Sequence, residues 1–215
     1  MGQTGASAPA GLGKARIETL ADGVFAIAMT LLVLDIHVPS VPAEELNAAL
    51  ERLLPKLATF ALSFILLGIY WVAHHAMLHY VRHTDRPFLW INVVFLMTVA
   101  LVPFSAALLS AYWRTPTAVV VYAGNLMLVA GTLLCLWRYA TRRQRLVDRE
   151  LDPALIRVAE RRIWFGFGIC STAVLVSFWS PAVTLVLFVV MIVYYVLPGR
   201  VDRFWNRPAP GKESR

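Results

Sequence analysis

Charge is scarce in this chain. Charged residues make up 15% of its 215 positions and apolar ones 59%; a soluble domain holds roughly 25% and roughly 45–50%. That balance excludes a water-soluble globule and describes an integral membrane protein. Cysteine is nearly missing. Cys135 and Cys170 both lie inside apolar stretches and form no CxxC, so they are read as packing residues, with no disulfide framework or zinc site. No TVGYG-like run occurs, which excludes a selectivity filter built from backbone carbonyls. No apolar stretch carries a spaced arginine series, which argues against voltage sensing. There is no internal repeat and no proline within the first apolar stretch, which argues against a carrier built from repeats with broken helices. That stretch is not expected to be a cleaved leader either: Asp22 interrupts its start and no A-x-A-like site follows before Pro39.

What the chain has is length of apolar sequence. A span needs about 20 apolar residues to cross a hydrocarbon core of roughly 30 Å. Six segments qualify, at about 18–37, 57–80, 87–112, 117–139, 163–180 and 181–197. The last two are divided by Ser180-Pro181, a turn-favouring pair. The spacing predicts an all-α membrane protein with a six-span domain over 16–198. It is flanked by a disordered N-terminus (1–15) and a basic tail (199–215), both expected on the cytoplasmic side of the inner (plasma) membrane. The basic residues set that orientation. Lys14, Arg16, Arg82, Arg86, the arginine-rich loop from Arg142 to Arg162, and the tail from Arg200 to Arg215 fall on one side; Arg52, Lys56 and Arg114 fall on the other. The net charge of +7 is therefore an orientation signal and a lipid contact, with no nucleic-acid partner. Trp90, Tyr112, Trp113, Trp137, Trp164, Trp179, Tyr194 and Tyr195 lie near span ends, where interfacial rings collect. A short amphipathic stretch, 154–162, follows Asp152-Pro153.

The first span is the most constrained. An ionisable Asp22 inside it costs at least about 2.5–3.5 kcal/mol on insertion scales, so it needs a partner. At 100° per residue, Ile27, Leu31 and Leu34 form one ridge, which Arg16 and Leu20 extend and Thr30 borders. Asp22 lies nearly opposite. Since intramembrane charges face protein, Asp22 is expected to point into its own bundle, and the ridge then faces either lipid or another subunit. Gly23, Ala26 and Ala28 keep the flanks thin. Partners at the same depth are His74 and His75 in the second span and Trp90 and Asn92 in the third. A buried network of Asp22, one of His74 or His75, Asn92 and Trp90 is expected.

The run from Asp22 to Asp35, DGVFAIAMTLLVLD, preceded by Arg16, resembles the first span of prokaryotic members of the transmembrane protein 175 family, relatives of the endosomal and lysosomal potassium channel. The segments 68–75 (GIYWVAHH), 89–92 (LWIN) and Pro103-Phe104 agree. The likeness covers about 16–112 well and thins over the last three spans. The family's Arg-x-x-x-Phe-Ser-Asp signature is met here by Arg16 and Asp22, with Leu20 and Ala21 in place of its aromatic and serine. The resemblance implies six-span subunits assembled as homotetramers, with no P-loop filter. It implies first helices lining a central pore and permeation by K⁺ without any cofactor. The pore-facing positions it implies are Ile27, Leu31 and Leu34, with Thr30 as the nearby polar one.

Four Ile27 side chains meeting on an axis would form a hydrophobic constriction that dewets when narrow. Permeability is then expected to place Cs⁺ and K⁺ above Na⁺. Asp35, at the outer end of the ridge, would gather cations at the mouth, helped by Glu44, Glu45 and Glu51. Two other readings stay open. A proton-coupled carrier would use Asp22 and the second-span histidines. A metal enzyme would use His75, His79 and His83, spaced i, i+4, i+8; neither a metal site nor an enzyme is expected, because further histidine clusters are missing.

Overall fold

The computed structural model describes residues 12–148 and 151–197. The expected basic tail, Arg149 and residues 1–11 lie outside them. The chain is all-helical. α1 spans Leu12–Leu31 and ends in a 3-10 turn, Leu32–Asp35. α2 spans Leu46–Tyr80, α3 Arg86–Ala100, α4 Val102–Ala111, α5 Pro116–Thr141, α6 Pro153–Ser177 and α7 Pro181–Val196. Among the described residues four helical stretches are long and apolar enough to cross a membrane: Gly13–Asp35, Ala43–Tyr80, Arg86–Ala111 and Pro116–Gln144. Val183–Val196 is a shorter apolar helix.

Several boundaries move relative to the sequence reading, each for a local reason. α1 begins at Leu12, so residues 12–15, expected within the disordered segment, are helical; Lys14 pairs with Glu18 one turn on (3.9 Å). α2 runs straight through Pro55. A proline there removes one backbone bond, and a helix of 35 residues tolerates that loss. At 1.5 Å per residue α2 is about 52 Å long, well beyond a hydrocarbon core. The third apolar stretch is two helices, broken at Leu101. Pro103 has no N–H to give the Val99 carbonyl, and Ser105 Oγ turns back onto Val102 O (3.0 Å). The amphipathic stretch after Asp152 is not separate: it is the first part of α6. Asp152 caps it through Ala154 N (2.7 Å). Ser180, extended, and Pro181 at the first helical position divide α6 from α7.

α1 lies against α2, α3 and α4, while α5 packs on α3, α4 and α6, and α6 on α7. The face α1 buries is Ile17, Ala21, Phe25, Ala28 and Leu32, spaced four, four, three and four residues apart. Phe25 is 1% exposed and sits 6.0 Å from the Phe95 ring. The alanines at 21 and 28 let the backbones approach, which is how helices associate where lipid removes the hydrophobic driving force. A bulky residue at either would force overpacking costing about 1–3 kcal/mol. Deeper in the bundle Tyr122 meets Ser63 (2.9 Å) and the edge of Phe188. Tyr70 donates to Leu126 O (3.1 Å).

Candidate functional site

The site is built on α1 because that helix is held from both sides and left open on a third. Opposite its packed face stand Ile27 (61% exposed), Thr30, Leu31 and Leu34 (65%). Gly23 and Ala26, also exposed, precede them on the helix. The Thr30 hydroxyl is turned back onto its own helix, to Ala26 O and Ile27 O. Arg16 and Leu20 continue the open face toward the start of the helix. Of the two departures from the family signature, Leu20 is exposed and Ala21 is buried in the packed face.

The polar residues divide into two sets instead of one network. His74 Nε2 and Asn92 Oδ1 are 2.8 Å apart and both side chains are buried. The imidazole stacks on Phe95 (4.9 Å, 14°) and lies 6.5 Å from Phe25. This pair ties α2 to α3 directly behind α1. Asp22 belongs to the second set. Its Oδ1 accepts the indole N–H of Trp71 at 2.8 Å, and the Trp71 ring stacks on His75 (5.8 Å, 26°). Asp22 thus bonds within its own chain, as a charge in an apolar helix must, but it stands on an exposed flank of α1 and not in the interior. The physical reason is reach: position 22 lies to one side of the packed face, where α2 is the neighbour. Trp90 is 61% exposed on α3 and takes no part. Arg16 is exposed and makes no ion pair among the described residues.

Trp71 is the residue sequence reasoning missed. The signal was present: an indole N–H in the middle of an apolar helix needs an acceptor, and Asp22 is the acidic residue at hand in the helix packed against it.

Asp35 is also placed differently from a free mouth charge. Its carboxylate accepts from Ser110 Oγ of α4 (2.9 Å) and pairs with Lys56 of α2 (3.9 Å), while its carbonyl accepts from Lys56 Nζ (3.3 Å). The 3-10 end of α1 is thereby tied to two other helices. His75, His79 and His83 do not assemble. α2 ends at Tyr80, before His83, and His79 sits edge-on to Tyr80. Among the described residues no group of three or more His, Cys, Asp or Glu is placed to hold a metal.

Comparison with known proteins bears on the same segment. Residues 16–103 match the model of the family described as endosomal/lysosomal potassium channel TMEM175. A protein of Streptomyces collinus named a potassium channel is 36% identical over 204 residues, covering 93% of this chain and 96% of its own length. One from Chamaesiphon minutus, also named a potassium channel, is 37% identical over 188 residues, covering 85% and 93%. The crystal structure of a lysosomal potassium-selective channel TMEM175 homolog from Chamaesiphon minutus superimposes with a TM-score of 0.76 at 34% identity. It covers 86% of this chain and 97% of that one.

Proposed function

We infer the function from one premise: the chain belongs to the endosomal/lysosomal potassium channel TMEM175 family. It is a multi-pass membrane protein and a potassium-permeable channel, not an enzyme. Beyond that premise, we propose that six spans per subunit assemble as a homotetramer around α1. Both termini then lie on the cytoplasmic side of the plasma membrane.

The observation that carries this reading is the open face of α1. A helix gripped by three neighbours in its own chain still exposes Ile27, Leu31 and Leu34 beside Thr30. Four such faces on a symmetry axis form a narrow apolar path. Ile27 is its constriction, dewetted when the helices are close and conducting when they part. An apolar ring discriminates by hydration, so Cs⁺ and K⁺ pass more readily than Na⁺, with a modest ratio. Asp22 and Trp71 hold α1 against α2, and His74 and Asn92 hold the α2–α3 wall behind it. Each contact fixes which face of α1 looks at the axis.

The test is cation flux from liposomes containing the purified protein and its Ile27→Asn variant. The variant is expected to leak more and to discriminate less between K⁺ and Na⁺, because a polar ring holds water where isoleucine expels it. Unchanged flux and selectivity in the variant would remove Ile27 from the path.

A further inference from the structure

A cavity of about 650 Å³ forms a groove on the flank of the bundle. It runs beside the apolar helices α2 and α5. Its floor is the face of α2 that carries Gly68, Trp71 and Ala76; α6 and the end of α7 close the other side. That volume falls within the roughly 300–1,000 Å³ of small-molecule sites. The lining is mostly apolar, and Arg162 is the one charged side chain among the described residues that line it.

The Arg162 guanidinium has unused bonding capacity. Arg162 spends one N–H on Tyr195 O (3.1 Å), and its guanidinium lies over the Tyr194 and Tyr195 rings. It makes no ion pair among the described residues, whereas neighbouring Arg138 is neutralised by Glu160 (3.0 Å). Five N–H groups with one spent leave four for an anion.

We propose that this groove is a site for one anionic phospholipid. An acyl chain lies along Gly68 and Ala76. The phosphate pairs with Arg162. Nothing in the groove would satisfy a neutral alkane better than bulk lipid does; the guanidinium is what selects a headgroup. The chain would also touch Trp71, the residue that holds Asp22, so occupancy is coupled to the placement of α1.

The experiment is native mass spectrometry of the delipidated protein titrated with phosphatidylglycerol or phosphatidylcholine, which reads bound lipid and assembly mass together. Wild type is expected to retain phosphatidylglycerol in preference to phosphatidylcholine. Arg162→Gln should lose most of that preference. Gly68→Leu should lose it by filling the groove: a side chain there meets nothing within 4 Å, and leucine favours the helix by about 1 kcal/mol. Equal retention of the two lipids by wild type overturns the proposal, as does an undiminished preference in both variants. If Gly68→Leu instead lowers the assembly mass, the groove holds a neighbouring subunit and the proposal fails. None of these readouts depends on ion flux, so this site and the conduction pathway fail separately.

Discussion

An ionised carboxylate in an apolar helix persists only if something holds it, and here one indole N–H does most of the holding. Asp22 sits 2.8 Å from Trp71 Nε1, a charge-assisted bond worth about 1.5–3 kcal/mol. Trp71→Phe keeps the ring and its stacking on His75 but leaves the carboxylate alone. The variant is expected to lose about that much stability in a detergent-denaturation series. Asp22→Asn should lose less, because a neutral amide carries no ionic desolvation cost. Equal loss in the two variants would mean the charge is irrelevant. The sequence could place Asp22, His74, His75, Asn92 and Trp90 at one depth because depth follows from counting along a helix. It could not sort them into pairs. Pairing depends on rotation about each helix axis, and a few tens of degrees sent Asp22 to Trp71, His74 to Asn92, and Trp90 out of the bundle.

At the scale of elements, the end of the bundle near the arginine-rich loop is latched by contacts of unequal weight. Asp85 caps α3 through Phe88 N (3.0 Å), accepts from the Tyr139 hydroxyl (2.7 Å) and lies 3.5 Å from Arg145. One carboxylate therefore joins the start of α3, the last turns of α5 and the loop after it. Asp148 makes an exposed pair with Arg82 (3.0 Å) beside a single β-bridge, Val81–Val147. Exposed pairs contribute about 0–1 kcal/mol, whereas a cap contributes about 0.5–2. Asp85→Ala is expected to lower the thermal midpoint clearly and Asp148→Asn hardly at all; the reverse order would contradict this division. The elements themselves were legible where an apolar run was long and a turn-favouring pair marked its end, as at Ser180-Pro181. They were illegible where continuity overrode a local signal. Pro55 did not end α2, because a helix already formed on both sides of a proline bears the loss of one bond, and the charged stretch after Asp152 runs on into α6 with no breaker between them.

At the scale of the whole molecule, the mouth of the proposed pore is electrostatically quieter than its acidic residues imply. Asp35 is tied to Lys56 and Ser110, so its charge is largely cancelled before it can gather cations. Lys56→Gln should release that field. Conductance at low ionic strength is expected to rise above wild type, and the gain should fade at 1 M salt, where the Debye length is about 3 Å. No difference at low salt would show that the pair does not reach the path. The arrangement that matters most is the one-sided grip on α1. Neighbours in its own chain cover Ile17, Phe25 and Leu32, and its open side carries Ile27, Leu31 and Leu34. The most direct measurement is cadmium block of potassium currents through Ile27→Cys, in a chain whose Cys135 and Cys170 are replaced by alanine. If the open face lines the axis, several thiolates converge on one ion, and cadmium should block Ile27→Cys while leaving the cysteine-free parent untouched. A current that stays insensitive to cadmium in Ile27→Cys, and equally in Leu31→Cys and Leu34→Cys, would contradict it.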